Sequence, residues 1–88
     1  MTSSNNVLSS TQIVLLMMVA NNPGSSGREI VKRFESVTCQ GLSYGRFYVI
    51  MRQLSDRGIV SVVDDKDQDG LLRRYRVTEE GNRLLGRI

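Results

Sequence analysis

Apolar and polar positions along the chain fall into three periods. Ser9 and Ser10 precede an unbroken apolar run, Ile13 to Ala20, which Asn22-Pro23-Gly24 closes. The pattern predicts a helix from about Thr11 to Asn21 with a serine cap. Ile13, Leu16, Met17 and Ala20 form one face for a core. Val14, Leu15 and Met18 form a second apolar face, which needs cover from the chain's own C-terminal segment or from a second subunit. Ser26 caps a second helix, Gly27 to about Val37. Its stripe is Ile30, Phe34 and Val37, with Arg28, Lys32 and Glu35 opposite. After the loop TCQGL, Ser43 caps a third helix, Tyr44 to Arg57, and Gly58 stops it as a left-handed residue. Phe47, Ile50, Met51 and Leu54 are its buried stripe. Arg46, Val49, Arg52, Gln53 and Asp56 point away, and Tyr44 and Tyr48 sit at the margins.

The period then shortens to two. Ile59 to Val63 is a β-branched run, and Leu72 to Val77 places Tyr75 and Val77 on one face. A polar loop with a glycine joins them, as in a hairpin. Thr78 caps a last helix, whose first-turn Glu79 and Glu80 suit the helix dipole and whose stripe is Leu84, Leu85 and Ile88. The order helix, helix, helix, strand, wing, strand, helix describes a mainly α fold with a small β-hairpin, a winged helix-turn-helix. Residues 1–8 are expected to be a disordered N-terminal segment and residues 9–88 the domain.

The loop itself, DKDQDG at 65–70, opens like a calcium-binding loop, with Asp65, Asp67, Asp69 and Gly70 at the required spacing. Position 12 of that motif falls on Arg76, a cation where the metal needs a bidentate carboxylate. The flanks are strands rather than helices, so the reading becomes the tip of a wing. Its carboxylates, with Asp64, outnumber Lys66, and they repel phosphate. The tip is therefore expected to stay solvated while Arg73, Arg74 or Arg76 on the return strand touches phosphate.

Composition narrows the function. The 88 residues suffice for one small domain, and a formal charge of +3 makes the chain mildly basic, favouring a polyanionic partner. There is one cysteine, Cys39, hence no intrachain disulfide, and a reducing compartment is permitted. Histidine is absent, which excludes histidine-dependent triads and histidine-containing zinc sites. No carboxylate arrangement suggests catalysis, so the expectation is a protein that is not an enzyme, without metal or cofactor. The longest apolar run is too short to span a bilayer and lacks a basic region before it. A cytoplasmic location, on nucleoid or plasmid, is expected.

In a winged helix-turn-helix, the N-terminal half of the third helix is the element suited to the DNA major groove. Ser43, Tyr44, Arg46 and Tyr48 occupy that half, and Arg52 follows on the exposed side. Arg46 can bond guanine O6 and N7, and Gly45 lets the backbone approach closely. Ser26 at the start of the second helix offers N–H groups to a phosphate, with Arg28 and Lys32 adding charge. Arg73, Arg74 and Arg76 complete the expected DNA-binding set. The second apolar face, Val14, Leu15 and Met18, with Leu84, Leu85 and Ile88, is the expected dimer interface.

Three stretches, NPGSSGREIVKRFES, LSYGRFYVIMRQLSDRGIV and LLRRYRVTEEGNRLL, resemble the PadR-like transcriptional regulators from about Ser9 to Leu85. The resemblance implies a dimeric winged-helix protein that binds double-stranded DNA, usually as a repressor. Members are often released from DNA by small phenolic or drug-like ligands. The family's recognition-helix tyrosine corresponds to Tyr48. Many members carry an aromatic residue where this chain has Arg28, and members continue into C-terminal dimerisation helices where this chain reaches Ile88. An effector and any further protein partner stay open. Two other readings stand beside the repressor: a plasmid centromere-binding or replication-control protein that coats tandem sites, and a winged-helix module whose basic face docks an acidic protein.

Overall fold

The structure, a computed structural model, describes residues 8–64 and 73–86. The acidic loop Asp65 to Gly70, the start of the return strand at Leu72, and Ile88 therefore lie outside the described residues, as do residues 1–7 of the expected disordered segment. Four helices and a three-stranded sheet follow one another as α1 (Ser10–Asn21), β1 (Ser25–Ser26), α2 (Gly27–Thr38), α3 (Tyr44–Asp56), β2 (Val60–Asp64), β3 (Arg74–Val77) and α4 (Glu79–Gly86). This is the winged-helix order.

Each helix begins where a hydroxyl can satisfy a free backbone N–H. Ser9 Oγ accepts from Gln12 N at 3.1 Å while Gln12 Oε1 accepts from Ser9 N at 2.9 Å, a reciprocal capping box. Ser26 and Glu29 repeat the arrangement at α2. Ser43 Oγ accepts from Arg46 N, and Thr78 Oγ1 accepts from Gly81 N. At the end of α3, Gly58 takes a left-handed φ of 75°. Its N–H reaches Ser55 O, and Ile59 N reaches Leu54 O, each at 2.9 Å. This pair of bonds turns the chain from α3 into β2.

The sheet is antiparallel with order β1-β3-β2. The hairpin is thus widened by a two-residue strand that the sequence pattern did not reveal, pairing Ser25 with Tyr75 and Ser26 with Arg74. Ser25 and Ser26 carry no apolar alternation, and the same two residues read equally well as a helix cap. An irregularity between Val62 and Asp64 opposes them to Tyr75 and Arg74, leaving Val63 out of register and half exposed.

The core is built from all four helices and the sheet. Phe47, Leu54, Ile30, Leu15, Leu16 and Ile59 are buried, and the Phe47 and Tyr75 rings meet edge to face at 6.0 Å. The buried stripe of α3 is the expected one. That of α2 is Ile30, Val31 and Phe34; Val37, expected on it, lies in the last turn beyond the core and is exposed. The largest correction concerns α1. It packs against α2, β3 and α4, so Leu15, Leu16, Met18 and Val19 are buried together and Met17 faces outward, 47% exposed. Leu15, Met18 and Leu84, expected in a dimer interface, are buried within the chain itself. Val14 and Leu85 pack partly buried against the same core.

Candidate nucleic-acid interface

At about 100° per residue, the buried stripe of α3 leaves its exposed side divided into two rims. Tyr44, Tyr48, Arg52 and Ser55 run along the rim toward the sheet. Arg46 and Gln53 run along the other, with Gly45, Val49 and Asp56 between them. Arg46 and Tyr48 are two residues apart and so point to different sides of the helix. All of the expected α3 residues, Ser43, Tyr44, Arg46, Tyr48 and Arg52, are exposed. Tyr48 is 39% and Tyr44 41% accessible.

Val49 stands at the middle of this face, 53% exposed. The sequence pattern places it on the outward side of the helix without marking a role for it. An apolar side chain there suits the thymine 5-methyl group, the one apolar landmark in the major groove. The signal available in the sequence was an aliphatic residue opposite the buried stripe. At Gly45 a side-chain carbon would meet nothing within 4 Å, so the helix surface there is open to a close neighbour.

At the start of α2 three of the N–H groups that could receive a phosphate are already engaged. Ser26 N donates to Glu29 Oε1, Gly27 N to Arg73 O at 3.0 Å, and Glu29 N to Ser26 Oγ. Ser26 is itself buried. The Glu29 carboxyl is held below its ordinary value of 4.5, chiefly by the backbone N–H of Ser26. The Ser26 N–H is thus already held by a carboxylate, and Ser26 leaves the candidate set. Arg28 and Lys32 remain exposed on α2.

The three arginines of the return strand diverge. Arg74 and Arg76 are exposed, and Arg74 Nη1 donates to Gly24 O at 2.8 Å, tying the strand to the turn before β1. Arg73 is half-buried on the face that carries Tyr75 and lies against Tyr48. Burial pushes the Tyr75 phenol above its ordinary value, so it stays neutral. The exposed α3 face offers cations and hydroxyls around one apolar contact, and Arg74 and Arg76 are exposed on the side of the sheet away from Tyr75. Duplex DNA needs such a combination, cations for phosphates and a shaped face for base edges.

Between α1 and α4, Met17, Ala20, Asn21 and Leu85 line an open apolar groove of about 310 Å³. Among the described residues no helix is long and apolar enough to cross a membrane, and no cluster of acidic or cysteine side chains is arranged to hold a metal ion.

The sequence matches the model of the transcriptional regulator PadR-like family over residues 15–87. The fold is similar to that in the hsRosR-S4 complex, with TM-score 0.80, 22% identity, and coverage of 97% of this chain and 70% of that one. It is also similar to the PcaV transcriptional regulator from Streptomyces coelicolor, solved with its natural ligand (TM-score 0.73, 28% identity, 91% and 52% covered). TA0346 from Thermoplasma acidophilum gives TM-score 0.69 at 24% identity, with 88% and 76% covered. No curated protein matches the chain in sequence.

Proposed function

The chain belongs to the PadR-like family of transcriptional regulators, and we propose that it is a sequence-specific repressor that binds double-stranded DNA as a homodimer. The observation that carries this reading is the exposed face of α3. Arg46, Val49 and Arg52 offer a guanine-bonding fork, a thymine-methyl contact and a second cation on one short helix. Ser43, Tyr44 and Tyr48 add hydroxyls for phosphates or base edges, and Arg28, Lys32, Arg74 and Arg76 supply sequence-independent attraction. Occupying an operator suffices for repression, because a bound protein excludes polymerase.

Dimerisation is supported by the groove of Met17, Ala20, Asn21 and Leu85. It replaces the interface expected from Leu15, Met18 and Leu84, which the core has absorbed. A dimer that reads two half-sites in successive major grooves needs its two α3 helices about 34 Å apart. A hydroxyl-radical footprint on the DNA flanking the protein's own gene tests the reading. Two protected patches about one helical turn apart are expected for a dimer on an inverted repeat. A continuous protected tract of tandem sites would favour the coating, partition-type role, and no protection at low salt would overturn DNA binding.

A further inference from the structure

Arg73 stands where β3 leaves the wing, and its carbonyl accepts the N–H of Gly27 at 3.0 Å, which pins this residue to the start of α2. Its guanidinium reaches across to α3. The guanidinium carbon lies 5.7 Å from the centre of the Tyr48 ring, and Nη1 donates to the Tyr48 hydroxyl at 3.4 Å. Below them Met51, Val62 and Tyr75 form the apolar part of a cleft of about 160 Å³ between helix and sheet. The Arg73 Nε is buried and has no hydrogen-bond partner among the described residues. A phosphate-binding arginine keeps its fork in water until DNA arrives. This one already has its charge over an aromatic face and one nitrogen shielded from solvent. Reaching a phosphate would break the contact with the ring, whereas Arg76 is exposed.

We propose that Arg73 is a positioning residue for DNA recognition: it fixes the Tyr48 ring against the sheet, so that the recognition helix presents the tyrosine edge to a base pair in one orientation. This rests on α3 being the DNA-reading helix. A tyrosine free to rotate on an exposed helix face must be ordered when it binds, and that ordering costs affinity. A ring held by a cation–π contact and a hydrogen bond is ordered beforehand. The brace also couples the two parts of the fold that touch DNA. The wing strand, tied to α2 by Gly27, and α3 then keep a fixed spacing across the duplex.

The test has two arms. In the free protein, urea unfolding of Arg73→Ala, Tyr48→Ala and the double variant should be non-additive, the double variant matching the worse single one. Additive losses would overturn the brace. In the DNA arm, Tyr48→Ala identifies the base pair at which discrimination is lost on the preferred duplex. Arg73→Lys, which folds with its charge intact but lacks the planar fork, should lose discrimination at that same pair by about three- to tenfold, with the salt slope of wild type. An Arg73→Lys variant that keeps full discrimination, with Arg73→Ala weakening all duplexes equally and lowering the salt slope by about 0.9, would make Arg73 a phosphate contact and overturn the proposal. If wild type prefers no duplex over another, the DNA reading itself fails. That result appears before any variant is used, and the unfolding cycle still reports on the contact.

Discussion

A methyl group added at Gly81 has nowhere to go. In the first turn of α4 the new carbon would overlap the Ile59 carbonyl oxygen and a Val77 methyl group. Neither can withdraw cheaply. The Ile59 oxygen accepts Thr78 N at 3.0 Å, and Thr78 in turn caps α4 through Gly81 N. Moving the carbonyl would disturb the turn from α3 into β2, while lifting α4 would break the cap and uncover Leu84. Forced overpacking costs about 1–3 kcal/mol, and loss of the cap about 1 kcal/mol. The better helix propensity of alanine offsets about 1 kcal/mol of this. A net loss of about 2 kcal/mol is expected for Gly81→Ala, lowering Tm by about 8–16 °C in a domain of this size. Circular dichroism during thermal and urea unfolding measures it. Gly45→Ala is the control: the same substitution in open space inside α3 should stabilise by about 0.5–1 kcal/mol. If Gly81→Ala is as stable as wild type, the close docking of α4 on the α3–β2 turn is wrong.

Other consequences can be checked independently. Cys39 ends α2 in a left-handed conformation with φ 57°, so Cys39→Gly should stabilise by about 0.5–1 kcal/mol in urea unfolding, and a loss would refute the strain. Glu29 has its carboxyl held below 4.5 in the folded state. Its contribution is therefore complete above the unfolded value and disappears as pH falls through the folded one. Glu29→Gln should flatten the acid limb of a stability profile, and an unchanged limb would show that other carboxylates govern it. Met17→Glu places a charge in the apolar groove without touching the core; sedimentation should then give a folded monomer that binds DNA at least tenfold more weakly, by about the loss of tandem half-sites. Dimers that persist in this variant would move the interface elsewhere.

The parts of this architecture that the sequence made legible are those with one clean period or one strong local signal. Phe47, Ile50, Met51 and Leu54 stand at helical spacing among polar residues, so the buried side of α3 could be read directly, and with it the exposed side. The serine and threonine caps and the left-handed Gly58 likewise act within three or four residues. In α1 every position from Ile13 to Ala20 is apolar, so the pattern contains no phase, and only packing against α2, β3 and α4 decides that Leu15 turns inward and Met17 outward. Strand β1 was hidden because two serines hold too few positions to show alternation. The arginines of β3 could be assigned to opposite faces by strand geometry, but long side chains go where their neighbours allow. That Arg73 meets Tyr48 and Arg74 meets Gly24 is a matter of tertiary contact. The role of Gly81 was invisible for the same reason: its lack of a side chain matters only because Ile59, distant in sequence, lies against it.

The claim that α3 reads DNA is tested most directly by titrating wild type, Arg46→Ala and Val49→Ala against a preferred duplex, selected from a random pool, and against unrelated DNA. Loss of a bidentate guanine contact should cost about 1–3 kcal/mol, a five- to 150-fold drop on the preferred duplex for Arg46→Ala. Val49→Ala should lose about 1 kcal/mol and become indifferent to replacing one thymine by uracil, which removes the methyl group that the valine touches. Binding to unrelated DNA should change far less in Val49→Ala, because that variant loses no charge. If both variants keep wild-type affinity and preference while the protein still binds DNA, the recognition surface is not on α3.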